Sequence, residues 1–325
     1  MRIFVAGATG AIGRQLVPLL LEAGHEVIAM TRDARRAEPL QALGASIAVA
    51  NALDYEQVRE AISRADPEVV VNELTALPKH LVARHVGRSF AATNTLRTVG
   101  TDHLIGASRA AGVRHFVAQG FAGWPYAPIG HGPLTEDTPF DPHPPAQLRA
   151  TLQALEYLEQ STAVCGIASA VLRYGLLYGP GTAFDSDGAV VEAVRRRRLP
   201  IIGSGEGMSC FIHVQDAAMA TLRAIERGAI GVYNVVDDMP AAARDWIPGL
   251  AHVIGAPPPF HVPRWIALAL LGEATVAILT RGRPISNARA RSNLGWWPRF
   301  PSWREGFLSI AEGAKPRPSL RPAEA

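Results

Sequence analysis

Short apolar runs alternate with helical patterns along the first half of the chain. RIFVA (2–6) precedes a helical pattern from about Ala11 to Ala23, HEVIAM (25–30) one around 34–42, and SIAVA (46–50) one near 55–64. EVVVN (68–72) leads into a longer connection, Asn94 to Ala111 reads as a helix closed by Gly112, and HFVAQ (115–119) is the next strand. Runs such as VVV suit strands buried on both faces. The alternation predicts a parallel sheet with right-handed crossovers and helices on both sides. A Pro- and Gly-rich loop follows at 130–147, then a helix from about Gln147 to Thr162, strand SAVLRY (169–174), and a late strand VYNVV (232–236) returning to the sheet.

The inserts form a second, smaller lobe. The reading places a dinucleotide-binding domain at 1–175 with 211–237, a substrate lobe at 176–210 with 238–313, and a Pro-rich flexible tail at 314–325. WIALALLGEATVAILT (265–280) is short of the roughly 20 residues a membrane span needs, and Glu273 interrupts it. It is read as a buried helix, with interfacial attachment as the alternative. No internal repeat stands out.

Composition narrows the class. With 48% hydrophobic and 19% charged residues the chain is globular, and a net charge of +3 is too small to imply nucleic acid. Cys165 and Cys210 have neither metal-site nor disulfide spacing and read as buried thiols, which fits a reducing, cytoplasmic setting. The first residues lack the long apolar region of a signal peptide. The basic groups are almost all arginine, because lysine occurs only at Lys79 and Lys315.

The most specific motif is VAGATGAIGRQL (5–16), between the first strand and first helix. Gly7 allows the tight turn, Gly10 lets a pyrophosphate approach the backbone, and Gly13 permits close packing of helix on strand. The free amides and dipole of the helix start then face the phosphates. At the end of the second strand, where an acid usually holds a ribose 2′-hydroxyl, the chain reads Thr31-Arg32-Asp33-Ala34-Arg35-Arg36. Arg32, assisted by Arg35 or Arg36, suits a 2′-phosphate and favours NADP(H). Asp33 keeps NAD(H) open.

These residues, with HFVAQ, LRYGLLYGP (172–180), CFIHVQDAAMA (210–220), GVYNVVDD (231–238) and NLGWWPRFPSWREGF (293–307), resemble the extended short-chain dehydrogenase/reductases of the NAD-dependent epimerase/dehydratase family, over about 1–310. The resemblance implies an α/β fold: a doubly wound Rossmann sheet with a C-terminal substrate lobe. It implies that Gly7, Thr9, Gly10, Ala11, Ile12 and Gly13 bind the pyrophosphate and that Asn51 and Ala52 flank the adenine. Leu74, Thr75 and Gln119 would lie along the cofactor, with Tyr174 near the nicotinamide. Homodimerisation is a further expectation of the family.

The chain departs from the family where the chemistry sits. The family's catalytic tyrosine and lysine lie four apart on a helix. Aligning Glu156 within QLRATLQALEYLE (147–159) puts Leu148 and Leu152 in their places. Four residues before Lys79 is Thr75 and four before Lys315 is Ala311, so no Tyr-x-x-x-Lys exists. Gly120-Phe121 stands where the family's catalytic Ser/Thr belongs, and Leu176 where sugar-acting members carry asparagine. The chain resembles the atypical branch of the family, with a more apolar ligand.

The loop FAGWPY (121–126) then hangs over the nicotinamide face. Tyr126 is the remaining hydroxyl for proton donation; the alternative is that Phe121, Trp124 and Tyr126 only shape an apolar wall. Arg149 could supply the missing positive charge or be a surface residue. His213 could line the pocket, His131 and His143 could reach it if their loop folds inward, and Arg195–Arg198 reads as a solvated helix end. No metal-ligand cluster appears. Three functions stay open: an NADP(H)-dependent oxidoreductase moving hydride to or from a carbonyl of a small partly apolar substrate, a cofactor-binding redox sensor or assembly partner without turnover, and an epimerase or isomerase with retained cofactor.

Overall fold

A computed structural model describes residues 1–78, 84 and 86–311; Lys79, Lys315 and the tail expected at 314–325 lie outside the described residues. Seven parallel strands form the central sheet: β1 (Arg2–Ala6), β2 (Glu26–Thr31), β3 (Ser46–Val49), β4 (Val69–Asn72), β5 (His115–Phe121), β6 (Ala168–Tyr174) and β7 (Gly231–Val235). Their order is β7-β6-β5-β4-β1-β2-β3. The chain runs outward from β1 through β2 to β3, then returns to the other side at β4. The switch point therefore lies between β1 and β4, where open α/β sheets bind ligands at the strands' carboxyl ends.

Alternation along each strand sorts the side chains onto two faces. Ile3, Val5, Val69, Val71, Leu172 and Tyr174 belong to one core with helices α1 (Gly13–Glu22) and α5 (Val214–Glu226). Phe4, Val70, Phe116 and Val171 belong to the other, with α2 (Tyr55–Ala65), α3 (Thr101–Ala110) and α4 (Arg149–Ala163). Local chemistry sets the helix ends. Asp54 caps α2 by accepting from the Gln57 amide at 3.1 Å, and α2 stops at Asp66, whose φ is 45°. The pattern expected as one helix at 34–42 divides into a 3-10 turn, Ala34–Ala37, and a helix, Glu38–Ala42. Asp33 caps the turn by accepting from the Arg35 amide. The helix expected from Asn94 begins earlier, at Ala91–Thr95, and passes through a π-helical stretch, Leu96–Gly100, before α3.

A further apolar core gathers Tyr178, Phe184, Phe211, Trp246, Trp303 and Phe307, with rings in edge-to-face contact such as Tyr178–Phe307 at 5.5 Å. The buried helix expected at 265–280 is two helices, Arg264–Leu271 and Glu273–Thr280. Gly272, at φ 81°, ends the first helix, and Trp265 is 72% exposed. The break is physical: glycine takes the left-handed region at no steric cost. No described helix is long and apolar enough to cross a membrane.

Candidate active site

The glycine turn is built as its spacing requires. Gly7 has φ 88°, and a Cβ there would lie 2.5 Å from the Glu73 carbonyl oxygen at the end of β4. A Cβ on Gly13 would lie 2.5 Å from the carbonyl oxygens of both Gly7 and Ala8, so α1 sits directly on the turn. The Gly10 amide closes the turn on the Gly7 carbonyl at 2.9 Å, and α1 starts at Gly13, with the Arg14 amide bonded back to the Gly10 carbonyl at 3.1 Å and the Leu16 amide to the Ile12 carbonyl at 2.8 Å. Thr9, Ala11 and Ile12 complete this loop at the switch point. Gly181 approaches Ala11, its Cβ position 3.7 Å from the Ala11 Cα, which brings the segment after β6 over the turn.

The other expected cofactor residues line the same edge of the sheet. At the end of β2, Arg32 is exposed and makes no hydrogen bond or ion pair among the described residues, whereas Asp33 is engaged by Arg35, which donates through its side chain at 3.3 Å. That hydrogen bond holds the Asp33 carboxyl below its ordinary range. Beyond β3, Asn51 accepts from the Leu53 amide and the Ala52 carbonyl contacts His103 Nδ1 at 3.0 Å. Beyond β4, the Leu74 amide bonds the Asn72 side chain. Gln119 and Tyr174 sit near the ends of β5 and β6.

A buried acid stands in this edge unannounced by the motifs. Glu73 continues the inward alternation of Val69 and Val71, and its carboxyl accepts from the Tyr174 hydroxyl at 3.1 Å. That hydroxyl also meets Thr221 at 2.6 Å. The second Glu73 oxygen is buried without a partner among the described residues, and burial pushes the group up to about 8. Its position two residues past Val71, in a run otherwise apolar on that face, is the signal sequence reading passed over. Linkage fixes the sign of its effect. The unfolded value is 4.5, so between about 4.5 and 8 the folded state binds more protons than the unfolded chain, and stability falls as pH rises. Buried Asp216 and Asp237, raised by burial to about 6 and about 8, add slopes of the same sign. Glu73→Gln is expected to flatten part of this decline. Urea unfolding at pH 5 and pH 8 checks it, and a mutant no more stable relative to wild type at pH 8 than at pH 5 would count against the buried neutral acid.

The aromatic loop after β5 turns out to be tied down. Tyr126 is buried, donates its hydroxyl hydrogen to Asn234 Oδ1, and accepts from Arg173 at 2.8 Å. Burial raises the phenol to about 12 despite Arg173. Arg173 in turn forks onto Glu159 at 2.7 and 2.6 Å and lies 4.6 Å from the Phe140 ring centre. Glu136 accepts from the Asn234 amide at 2.8 Å. Sequence reading did not anticipate this network. Leu148, in the position aligned with the family's tyrosine, is 1% exposed and packs in an apolar cluster with Val86, Phe90, Trp124 and Ile278. A shallow cleft beside it is lined by Trp124, Tyr126, Leu148, Ala277, Ile278 and Arg281. Leu152 is buried one turn further along α4.

The remaining candidates lie elsewhere. Arg149, His131 and His143 are exposed, as are Arg195–Arg198 at their helix end. His213 caps α5 by accepting from the Gln215 amide at 3.2 Å, lies tilted against Phe300 with ring centres 4.2 Å apart, and is lowered to about 4 by burial and then by Arg299. No metal-binding cluster occurs among the described residues. Cys165 and Cys210 are buried and unpaired.

Comparison with known proteins meets this geometry. Residues 3–235 match the NAD dependent epimerase/dehydratase family. A 3-diazoavenalumate denitrifying reductase from a Streptomyces species is 46% identical over 308 residues, covering 94% of this chain and 99% of that protein. A Thermus thermophilus UDP-glucose 4-epimerase in complex with NAD superposes with a TM-score of 0.74 at 22% identity, over 96% of this chain and 98% of that one. A human epimerase family protein with NADPH gives 0.74 at 21% identity, over 97% and 100%.

Proposed function

The chain belongs to the NAD-dependent epimerase/dehydratase family, and from that premise we propose that it is an NADPH-dependent reductase that delivers hydride to the terminal nitrogen of a diazo group in its diazonium form on a small, partly apolar molecule. Its coarse class is supported by its 46%-identical relative, a reductase whose name specifies a diazo substrate and loss of nitrogen, and by structural neighbours that hold NAD or NADPH.

The observation that carries the finer reading is Leu148. An apolar side chain, sealed among Trp124, Phe90 and Ile278, takes the place aligned with the proton donor. Carbonyl reduction leaves negative charge on oxygen and calls for a positioned acid. A diazonium group does not. Hydride adds to the terminal nitrogen of the diazonium cation and gives a neutral diazene; the carbon–nitrogen bond then breaks, dinitrogen leaves, and the diazene hydrogen ends on the carbon. The two electrons come from the reduced nicotinamide, which supplies the hydride when bound. Gly7, Gly10 and Gly13 would hold its pyrophosphate. Arg32, free at the end of β2 while Asp33 is occupied by Arg35, supports the 2′-phosphate form. Tyr126 then serves to anchor the loop through Arg173 and Asn234.

The test is NADPH oxidation with arenediazonium salts, alongside aldehydes and ketones, with NADH and enzyme-free controls. The expected result is one dinitrogen and one denitrogenated arene per NADPH, with NADPH preferred. Tyr126→Phe is expected to keep turnover within about threefold while losing about 1 kcal/mol of stability. A folded Tyr126→Phe protein without turnover would restore the tyrosine as acid, and carbonyl reduction without dinitrogen release would overturn the diazo reading.

A further inference from the structure

Arg97 is 9% exposed, yet makes no hydrogen bond, ion pair or ring contact among the described residues. It lies in the π-helical stretch Leu96–Gly100, a distortion that recurs at functional sites. Its surroundings are fixed by its neighbours. Four residues earlier, buried Thr93 accepts from the Ala76 amide at 3.0 Å. Four residues later, buried Thr101 accepts from Asn72 at 3.1 Å. Thr93, Arg97 and Thr101 thus share one stripe, and that stripe faces residues 72–76, which include Leu74 and Thr75 of the expected cofactor edge. One turn before Arg97, Asn94 donates to Thr151 at 3.1 Å, beside Leu152 on α4. The cation therefore sits in the angle between the end of β4 and the first turns of α4.

The guanidinium is largely enclosed but not sealed, since none of its nitrogens is among the fully buried atoms without a partner, and a charge held so far from water is met by an opposite one or an explanation is owed. Glu73 does not supply it, because its side chain continues the inward alternation of the opposite sheet face. Burial lowers Arg97 to about 10, with no compensating charge beside it among the described residues. An arginine fork matches a carboxylate bidentately.

We propose that Arg97 is the anion-holding residue of the substrate site, taking a carboxylate carried by the substrate, from its place between residues 72–76 and α4. This rests on the reductase reading for the site's purpose, but its test is a binding measurement. Calorimetric titration of the NADP⁺-saturated protein with cinnamate and with methyl cinnamate, for wild type, Arg97→Met and Arg97→Lys, separates the two. Wild type is expected to prefer cinnamate. Arg97→Met is expected to weaken cinnamate by at least about tenfold, with Arg97→Lys between, and to leave methyl cinnamate and NADP⁺ affinity unchanged. Removal of an unpaired buried charge is also expected not to lower the melting temperature of the ligand-free protein. A fall in melting temperature with cinnamate binding intact would make Arg97 structural. A loss of NADP⁺ affinity would assign the cation to a cofactor phosphate. Wild type that binds the ester as well as the acid would overturn the proposal outright, whatever the outcome with diazo compounds.

Discussion

Gly7→Ala is expected to lose about 2–5 kcal/mol of stability and at least about tenfold in NADPH affinity. Two costs add. An alanine at φ 88° pays the left-handed penalty of about 1–2 kcal/mol. Its methyl carbon would also sit 2.5 Å from the Glu73 carbonyl oxygen and 3.1 Å from the Leu74 amide, both backbone atoms that cannot rotate aside. Relieving that overlap costs about 1–3 kcal/mol and moves the turn away from β4. The pyrophosphate would read the turn through its backbone, so the displacement reaches cofactor binding directly. Gly24 provides the control. It has φ 79°, but nothing lies within 4 Å of its Cβ position. Gly24→Ala is expected to show the backbone penalty alone, with NADPH affinity unchanged. Urea unfolding and fluorescence titration of both variants measure the difference. Equal affinity losses would mean that contact with the β4 end does not shape the site.

That contrast also marks what a sequence can disclose. The VVV run and the glycine spacing are legible because each demands one local geometry: strands buried on both faces, and a turn that no side chain can enter. The sheet and the glycine turn at its edge follow. Leu148 and Leu152 read as sharing one helix, whereas Leu148 closes a 3-10 turn and Leu152 stands in the first turn of α4. Glu73 and Arg97 were not legible, because their significance is where their side chains are sent. Glu73 belongs to a strand's alternation carried one step past its end, and Arg97 to a stripe with Thr93 and Thr101 that becomes visible as an inward face only when both threonines find their partners. The 265–280 run misled for the opposite reason. Its apolarity is real, but Gly272 divides it, and Trp265 and Leu270 remain 72% and 58% exposed. The FAGWPY loop invited a catalytic reading of Tyr126 since nothing local shows that Arg173, on a strand 47 residues later, would claim its hydroxyl.

Arg173→Met is expected to destabilise the protein by about 3–5 kcal/mol, because it leaves the largely enclosed Glu159 without its ion-pair partner. The side chains of the pair are 7% and 13% exposed. Burial pulls the guanidinium down, but the Glu159 hydrogen bonds and Tyr126 hold it above its ordinary range. Loss of Arg173 removes more than one ion pair. Tyr126 loses a donor, Phe140 loses the cation lying 4.6 Å from its ring, and the Glu136 carbonyl loses a bond at 3.3 Å. Those three residues belong to the segment between β5 and α4, so that segment is expected to become sensitive to proteolysis. The pair itself is separable from its neighbours. Arg173→Met with Glu159→Leu removes both charges, and is expected to recover part of the loss, since the orphaned carboxylate is gone. A double-mutant cycle by urea unfolding gives the coupling. If the double variant were as unstable as the sum of the single ones, the damage would lie in the lost loop contacts, and the buried ion pair would be a minor contributor to holding the aromatic segment over the sheet.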